Sequence, residues 1–228
     1  MKCAIMQPTY LPWSGYFNLI QNVDYFVFLN DVQFNKRSWQ QRNRISLNGQ
    51  EKYMTIPVHS KGKPNQLINQ VEIVLEENIL ENHFKTLKFA YENHPYGNEV
   101  ITLYEKNINL NMNLLQDINV MLIKDICELL DIKTEILFSS DIPVSGQKSM
   151  YLHNICNYLE VTEYLSPIGS KQYIEEEQIL SQSNISIQYQ NFEPKQYAQY
   201  LCKEFIPYLS ILDVIANIGI DKTKEYIK

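Results

Sequence analysis

Two short apolar runs near the start of the chain constrain its fold most. Residues 2–6, Lys-Cys-Ala-Ile-Met, stop at Gln7-Pro8, and Tyr25-Phe26-Val27-Phe28-Leu29 stops at Asn30-Asp31. Between them Trp13, Tyr16, Phe17 and Ile20 recur at helical spacing from Leu11 to Asn22. Strand, helix and strand in about thirty residues make a βαβ unit. Such a unit demands a parallel sheet with a right-handed crossover.

The rest of the pattern extends that core. Asn48-Gly49 predicts a hairpin turn, with Tyr53 to Val58 as the returning strand, His59 to Asn69 as a loop and Val71 to Leu75 as a short strand. From about Ile79 to Leu130 the spacing is helical, broken near His94-Pro95-Tyr96-Gly97. Leu103, Ile108, Leu110, Leu114, Leu115, Ile118, Met121, Leu122 and Ile126 mark its core face. Strands are then expected at 134–139, 163–166 and 185–189, and helices at 148–159 and 171–180. A short helix follows Gln196, and a last one from Ser210 to Ile218 is capped by Gly219. The sum is an α/β chain, one domain over residues 1–228, with a helical insertion at about 79–131.

Composition narrows the functional classes. A formal charge of −6 argues against a general nucleic-acid binder, although Lys36, Arg37, Arg42 and Arg44 lie within nine positions with no acid among them. That cluster leaves room for one local anion site. Cys3, Cys127, Cys156 and Cys202 are scattered, with no CxxC pair and no metal spacing, and read as reduced thiols. His59, His83, His94 and His153 show no ligand spacing either, and for His83 and His94 a surface or capping role is the default. The start is too soon interrupted by Gln7-Pro8 for a signal peptide, and no stretch is apolar enough to span a membrane, so a cytoplasmic location is expected. Sixteen tyrosines suit a polar ligand cleft, and an AT-rich coding bias accounts for them equally well.

Three stretches carry the chemistry. Gln7 to Phe17 follows the first strand, with Tyr10, Trp13 and Tyr16 as rings that could stack on a base or sugar and Gly15 allowing close approach. Asn30 to Arg44 follows the second strand. Asp31 is the expected proton acceptor, with Lys36 and Arg37 beside it in the reaction; Arg37, Arg42 and Arg44 are suited to phosphates, and Gln33 and Trp39 join them in binding the substrate. Tyr164 to Tyr173 runs from a strand through Ser166 and Gly169 to Lys171 and Tyr173, the pattern of a phosphate cradle or of an ordinary strand-to-helix turn.

Together these stretches resemble the WbqC-like family, which is associated with gene clusters for O-antigen and related surface polysaccharides. The matching segments are Gln7 to Phe17, Asp31 to Ile45, Tyr164 to Tyr173 and Phe205 to Asp213. Met6 departs from the family, many of whose members carry histidine there. The resemblance implies transfer of a glycyl, other aminoacyl or acyl group from an activated donor, an aminoacyl-tRNA among them, to an amine or hydroxyl of a nucleotide-linked sugar. No further cofactor and no metal is implied, and a homodimer is compatible with it. A more distant likeness is to nucleotidylyltransferase/HUP-like proteins with a parallel-sheet, Rossmann-like core. In that frame Trp13 and Tyr16 replace the two histidines of their signature, Gly15 is kept, and the Ser166-to-Lys171 turn stands near their second motif. Two alternatives to the transferase therefore stand: a nucleotidylyltransferase-like enzyme and a non-catalytic binding module of the polysaccharide machinery.

Overall fold

The computed structural model describes residues 1–75, 78–107 and 112–228, so Ile108 and Leu110, expected on the helical core face, lie outside it. In chain order the elements are β1 (Lys2–Met6), α1 (Ser14–Gln21), β2 (Tyr25–Phe28), β3 (Arg42–Leu47), β4 (Gln50–Thr55), α2 (Ile79–Tyr91), α3 (Gly97–Glu105) and α4 (Leu115–Leu129). After them come β5 (Glu135–Phe138), α5 (Lys148–Tyr158), β6 (Glu163–Ser166), α6 (Lys171–Glu177), β7 (Ser186–Tyr189) and α7 (Ile211–Tyr226). They divide between two compact bodies.

The first body comprises Met1–Gln7, Asn18–Asp31 and Lys133–Glu193, and it contains a five-stranded, all-parallel sheet in the order β5-β2-β1-β6-β7. Counted among the sheet's own strands, that order is 3-2-1-4-5, and it reverses between β1 and β6. The apolar runs explain the central placement. Cys3 to Ile5 and Phe26 to Phe28 are buried on both faces, as strands covered by helices above and below must be. Cys3 pairs with Tyr25 and Met6 with Phe28 in register, and the Phe28 ring packs 5.6 Å from that of Phe138. Each such side chain removed from water contributes about 1.5–3 kcal/mol.

The second body comprises Pro8–Phe17, Val32–Ile132 and Pro194–Lys228. Its hairpin turns at Asn48 and Gly49, whose φ values of 53° and 74° are those a two-residue type I′ turn requires. Gly49 is obligatory for a second reason: a Cβ there would collide with the Leu201 carbonyl. The helical stretch expected at 79–131 resolves into α2, α3 and α4, and it belongs to this larger body together with the hairpin and α7.

Three expectations are corrected and a fourth is extended. Val71 to Leu75 forms no strand; Glu72 and Ile73 make only single bridges, to Leu114 and Val58. No helix follows Gln196, because the Gln199 side chain, bonded to both the nitrogen and the carbonyl of Ile206, holds that segment as an irregular loop. Gly219, at φ 81° and outside helical geometry, does end a helix as expected, but a second helix resumes directly beyond it and α7 continues across the kink to Tyr226. Tyr10, Tyr16, Tyr91 and Tyr164 are wholly buried, so much of the tyrosine excess is core rather than cleft. Among the described residues, no helix is long and apolar enough to cross a membrane.

Candidate functional site

In the second body, three distant stretches of chain are knitted together by backbone bonds. Tyr10 N–H donates to the Trp39 carbonyl at 3.0 Å, and the Asn43 amide donates to the Tyr10 carbonyl at 3.1 Å. Ser210 N–H reaches the Arg44 carbonyl and Ile211 N–H the Pro12 carbonyl, both at 2.8 Å. Asn119 of α4 is fully buried and donates its amide to the carbonyls of Pro8 and Gln40 at 3.3 and 2.7 Å. The segments 8–17, 32–45 and 205–213 therefore converge.

Convergence sends some rings inward. The Tyr10 hydroxyl bonds His83 Nδ1 at 2.7 Å and the Tyr104 hydroxyl at 2.8 Å, and burial pushes both phenols up and holds the imidazole down at about 4. Tyr16 is 1% exposed. Both tyrosines belong to the packed interior, where the sequence pattern had suggested ring faces for a ligand. His83 and His94 are buried as well, against their expected surface or capping role. Gly15 admits the Trp13 indole, which lies where a Cβ would otherwise stand.

Other side chains turn outward on the hairpin. Trp39 is 49% exposed and lies nearly parallel to Tyr53, with ring centroids 6.5 Å apart and planes at 19°. The Arg42 guanidinium lies 4.9 Å from the Tyr53 centroid and that of Arg44 lies 5.6 Å from the Trp39 centroid, both within cation–π range. Arg44 is committed elsewhere: one terminal nitrogen bonds Glu51 at 2.7 Å and the other the Tyr208 carbonyl at 3.1 Å. It is a brace more than a free phosphate fork. Lys36, Arg37 and Arg42 have no carboxylate partner among the described residues, and Arg37 is held at φ 59° with its N–H on the Gln41 side chain. The Gln33 amide is spent on the Pro64 carbonyl at 2.9 Å.

The first body carries a separate cluster at the carboxyl end of β2. Asp31 accepts from the Ser139 hydroxyl on one oxygen and from the Tyr151 hydroxyl, at 2.6 Å, on the other. Asn30 fixes the same turn: its N–H donates to Ser139 Oγ, and its amide oxygen accepts from Ser140 N–H, both at 3.1 Å. Burial first, and Asp31 second, push the Tyr151 phenol up to about 12, so it stays a donor across the physiological range. A half-buried carboxylate with both oxygens fixed and lone pairs to spare is oriented to take a proton. Gln7 is half-buried at the end of β1.

The turn after β6 is less suited to phosphate than its sequence suggests. The Ser166 hydroxyl is buried on the Pro167 carbonyl, and Lys171 lies 3.8 Å from Glu175 and 5.3 Å from the Tyr189 ring. The open depression there, about 590 Å³, is lined by Gly169, Lys171, Glu175 and Glu176 among others, and those two carboxylates repel an anion. Tyr173 is exposed, and no atom stands near the missing Cβ of Gly169.

A family model described as the WbqC-like protein family matches residues 7–225, a range that includes all these stretches. The chain belongs to the WbqC-like family. It is 31% identical over 233 aligned positions to the uncharacterized protein Rv1507c of Mycobacterium tuberculosis, an alignment that covers all of this chain and 97% of that relative. No solved structure matches it. In this WbqC-like chain the sequence pattern missed Ser139, Tyr151 and Asn119 as side chains that organise the signature segments. Only Ser139 left a signal, a polar residue directly after a strand.

Proposed function

We propose that this WbqC-like protein is a transferase that moves an acyl or aminoacyl group from an activated donor to an amine or hydroxyl of a nucleotide-linked sugar, in the assembly of surface polysaccharide. Asp31 carries the reading. It stands at the carboxyl end of a parallel strand, the edge at which such sheets take ligands, and Ser139 and Tyr151 orient both its oxygens. In the reaction the sugar amine or hydroxyl attacks the acyl carbon, Asp31 takes the proton it sheds, and the donor's carrier departs with its bonding electrons and takes up a proton. Within the second body, Lys36 and Arg37 are free of carboxylates among the described residues and are suited to an anion there.

The strand order 3-2-1-4-5 supports a Rossmann-like core that binds a nucleotide where the order reverses, between β1 and β6. The packing of Trp13 and the burial of Tyr16 count against nucleotidyl transfer, because neither ring offers the charge stabilisation that phosphates need.

The test is a thermal-shift panel of nucleotide-sugars, followed by a transfer assay on Asp31→Asn and Arg37→Ala. A ligand at a hundred times its dissociation constant stabilises by about 2.7 kcal/mol, which such a panel reads. Full transfer by both variants would refute the assignment. Tight binding with no turnover from any donor would make the protein a binding module instead.

A further inference from the structure

The face of the β3–β4 hairpin alternates aromatic rings with guanidinium groups. Trp39 and Tyr53 lie nearly parallel with centroids 6.5 Å apart, Arg42 sits against Tyr53, and Arg44 sits against Trp39. Arg44 also grips the Tyr208 carbonyl, and the Tyr208 ring packs 5.1 Å from that of Trp13. Trp39, Tyr53 and Tyr208 are each at least 41% exposed, an unusual outlay of large rings to solvent. Glu51 is the acid that pairs on this face, and Arg44 holds it.

We infer that this strip is a binding site for single-stranded nucleic acid, the bases stacking on Trp39 and Tyr53 and the phosphates meeting Arg42. Stacking needs only a π-face and a cation needs only a phosphate, so the site tracks the strand without reading its sequence. A sugar polymer would also stack on rings, but its hydroxyls call for free carboxylate and amide acceptors, and the carboxylate here is already bound. The acidity of the whole chain is no obstacle. The formal charge of −6 falls entirely in the sheet body, and acids and bases balance in the body that bears the hairpin. The site therefore engages a few nucleotides locally. It stands on the hairpin alone and does not depend on the transfer reaction.

Of the chain's two tryptophans, Trp39 lies in the strip and the half-buried Trp13 packs against Tyr208 at its end, so the protein's own fluorescence reports on it. The full-length protein is titrated with a fluorescein-labelled ten-nucleotide adenine RNA, its DNA counterpart, the RNA duplexed with its complement, and AMP. Quenched tryptophan emission with a rise in polarisation is expected for either single strand, with little response to duplex or AMP. Trp39→Ala and Tyr53→Ala each weaken strand binding at least five-fold, while Tyr158→Ala, which removes an exposed ring of the other body, leaves it unchanged. The salt dependence falls by about 0.7 in slope in Arg42→Gln, as loss of one single-strand phosphate contact requires. Strand binding that survives Trp39→Ala intact overturns the proposal, as does AMP competing as well as the strand. No response to either strand overturns it too.

Discussion

Asp213 is buried in α7 at 0% exposure, with one carboxyl oxygen taking bonds from the Tyr197 hydroxyl at 2.7 Å and the Gln199 amide at 3.1 Å. Its other oxygen has no partner among the described residues. Burial raises its pKa from 3.8 to about 6, against the pull of those two donors. The fold therefore prefers the protonated acid. Its contribution is whole below about pH 4, is lost progressively as pH rises to about 6, and stays lost above. The full gap corresponds to about 3 kcal/mol, of which about 2 falls between pH 4.5 and 7.5. Asp213→Asn keeps an acceptor for Tyr197 and Gln199 and never ionises. Its stability relative to the parent should therefore improve by about 2 kcal/mol over that interval. Urea denaturation followed by tryptophan emission at the two pH values measures the difference, and the other titrating groups cancel in the comparison. A difference that does not change with pH, or that moves the other way, would refute the account of this carboxyl.

The buried histidine works in the opposite sense. His83, held at about 4 by burial, stays neutral in the fold while the unfolded chain takes up a proton below about pH 6.5, so stability falls on acidification by about 3 kcal/mol. His83→Gln should flatten that slope in denaturation curves recorded from pH 7 to pH 4.5. Gly15→Ala would force the Trp13 indole from its place, lowering stability by about 1–3 kcal/mol and shifting the emission spectrum. Tyr151→Phe removes one of the two bonds that orient Asp31, so a transfer assay should show a fall in kcat with KM for the donor unchanged.

Much of the sheet was legible in the sequence. The runs at 2–6 and 25–28 declare themselves because strands buried on both faces must be apolar throughout, and Glu163–Ser166 coincides with its expected bounds. Asp31 could be placed at a strand end for the same reason. Its partners could not, since Ser139 and Tyr151 lie 108 and 120 residues further along and only the folded sheet brings them near. The signature rings show the other limit. Tyr10, Trp13 and Trp39 are alike as sequence, yet Tyr10 is interior and Trp39 lies open, a choice made by the bonds from Asn43 and Asn119. At Gly219 the pattern identified the positive φ correctly. What it lacked was the resumption of helix beyond, where Thr223 bonds back to the Gly219 carbonyl.

The pairing of β1 with β6 sets a clock on synthesis. The Met1 carbonyl waits for Thr162, 161 residues later. At about 5–20 residues per second a ribosome needs roughly 8–32 s to deliver it. β2 arrives early and covers one side of β1, but the other side stays an open, apolar strand edge throughout that interval, able to pair with a neighbouring nascent chain. Neither body is contiguous in sequence, so no early part of the chain can close off on its own. Chains released before β6 should collect in inclusion bodies or on chaperones, and slowed translation should lower the yield of soluble protein more steeply than any single surface substitution.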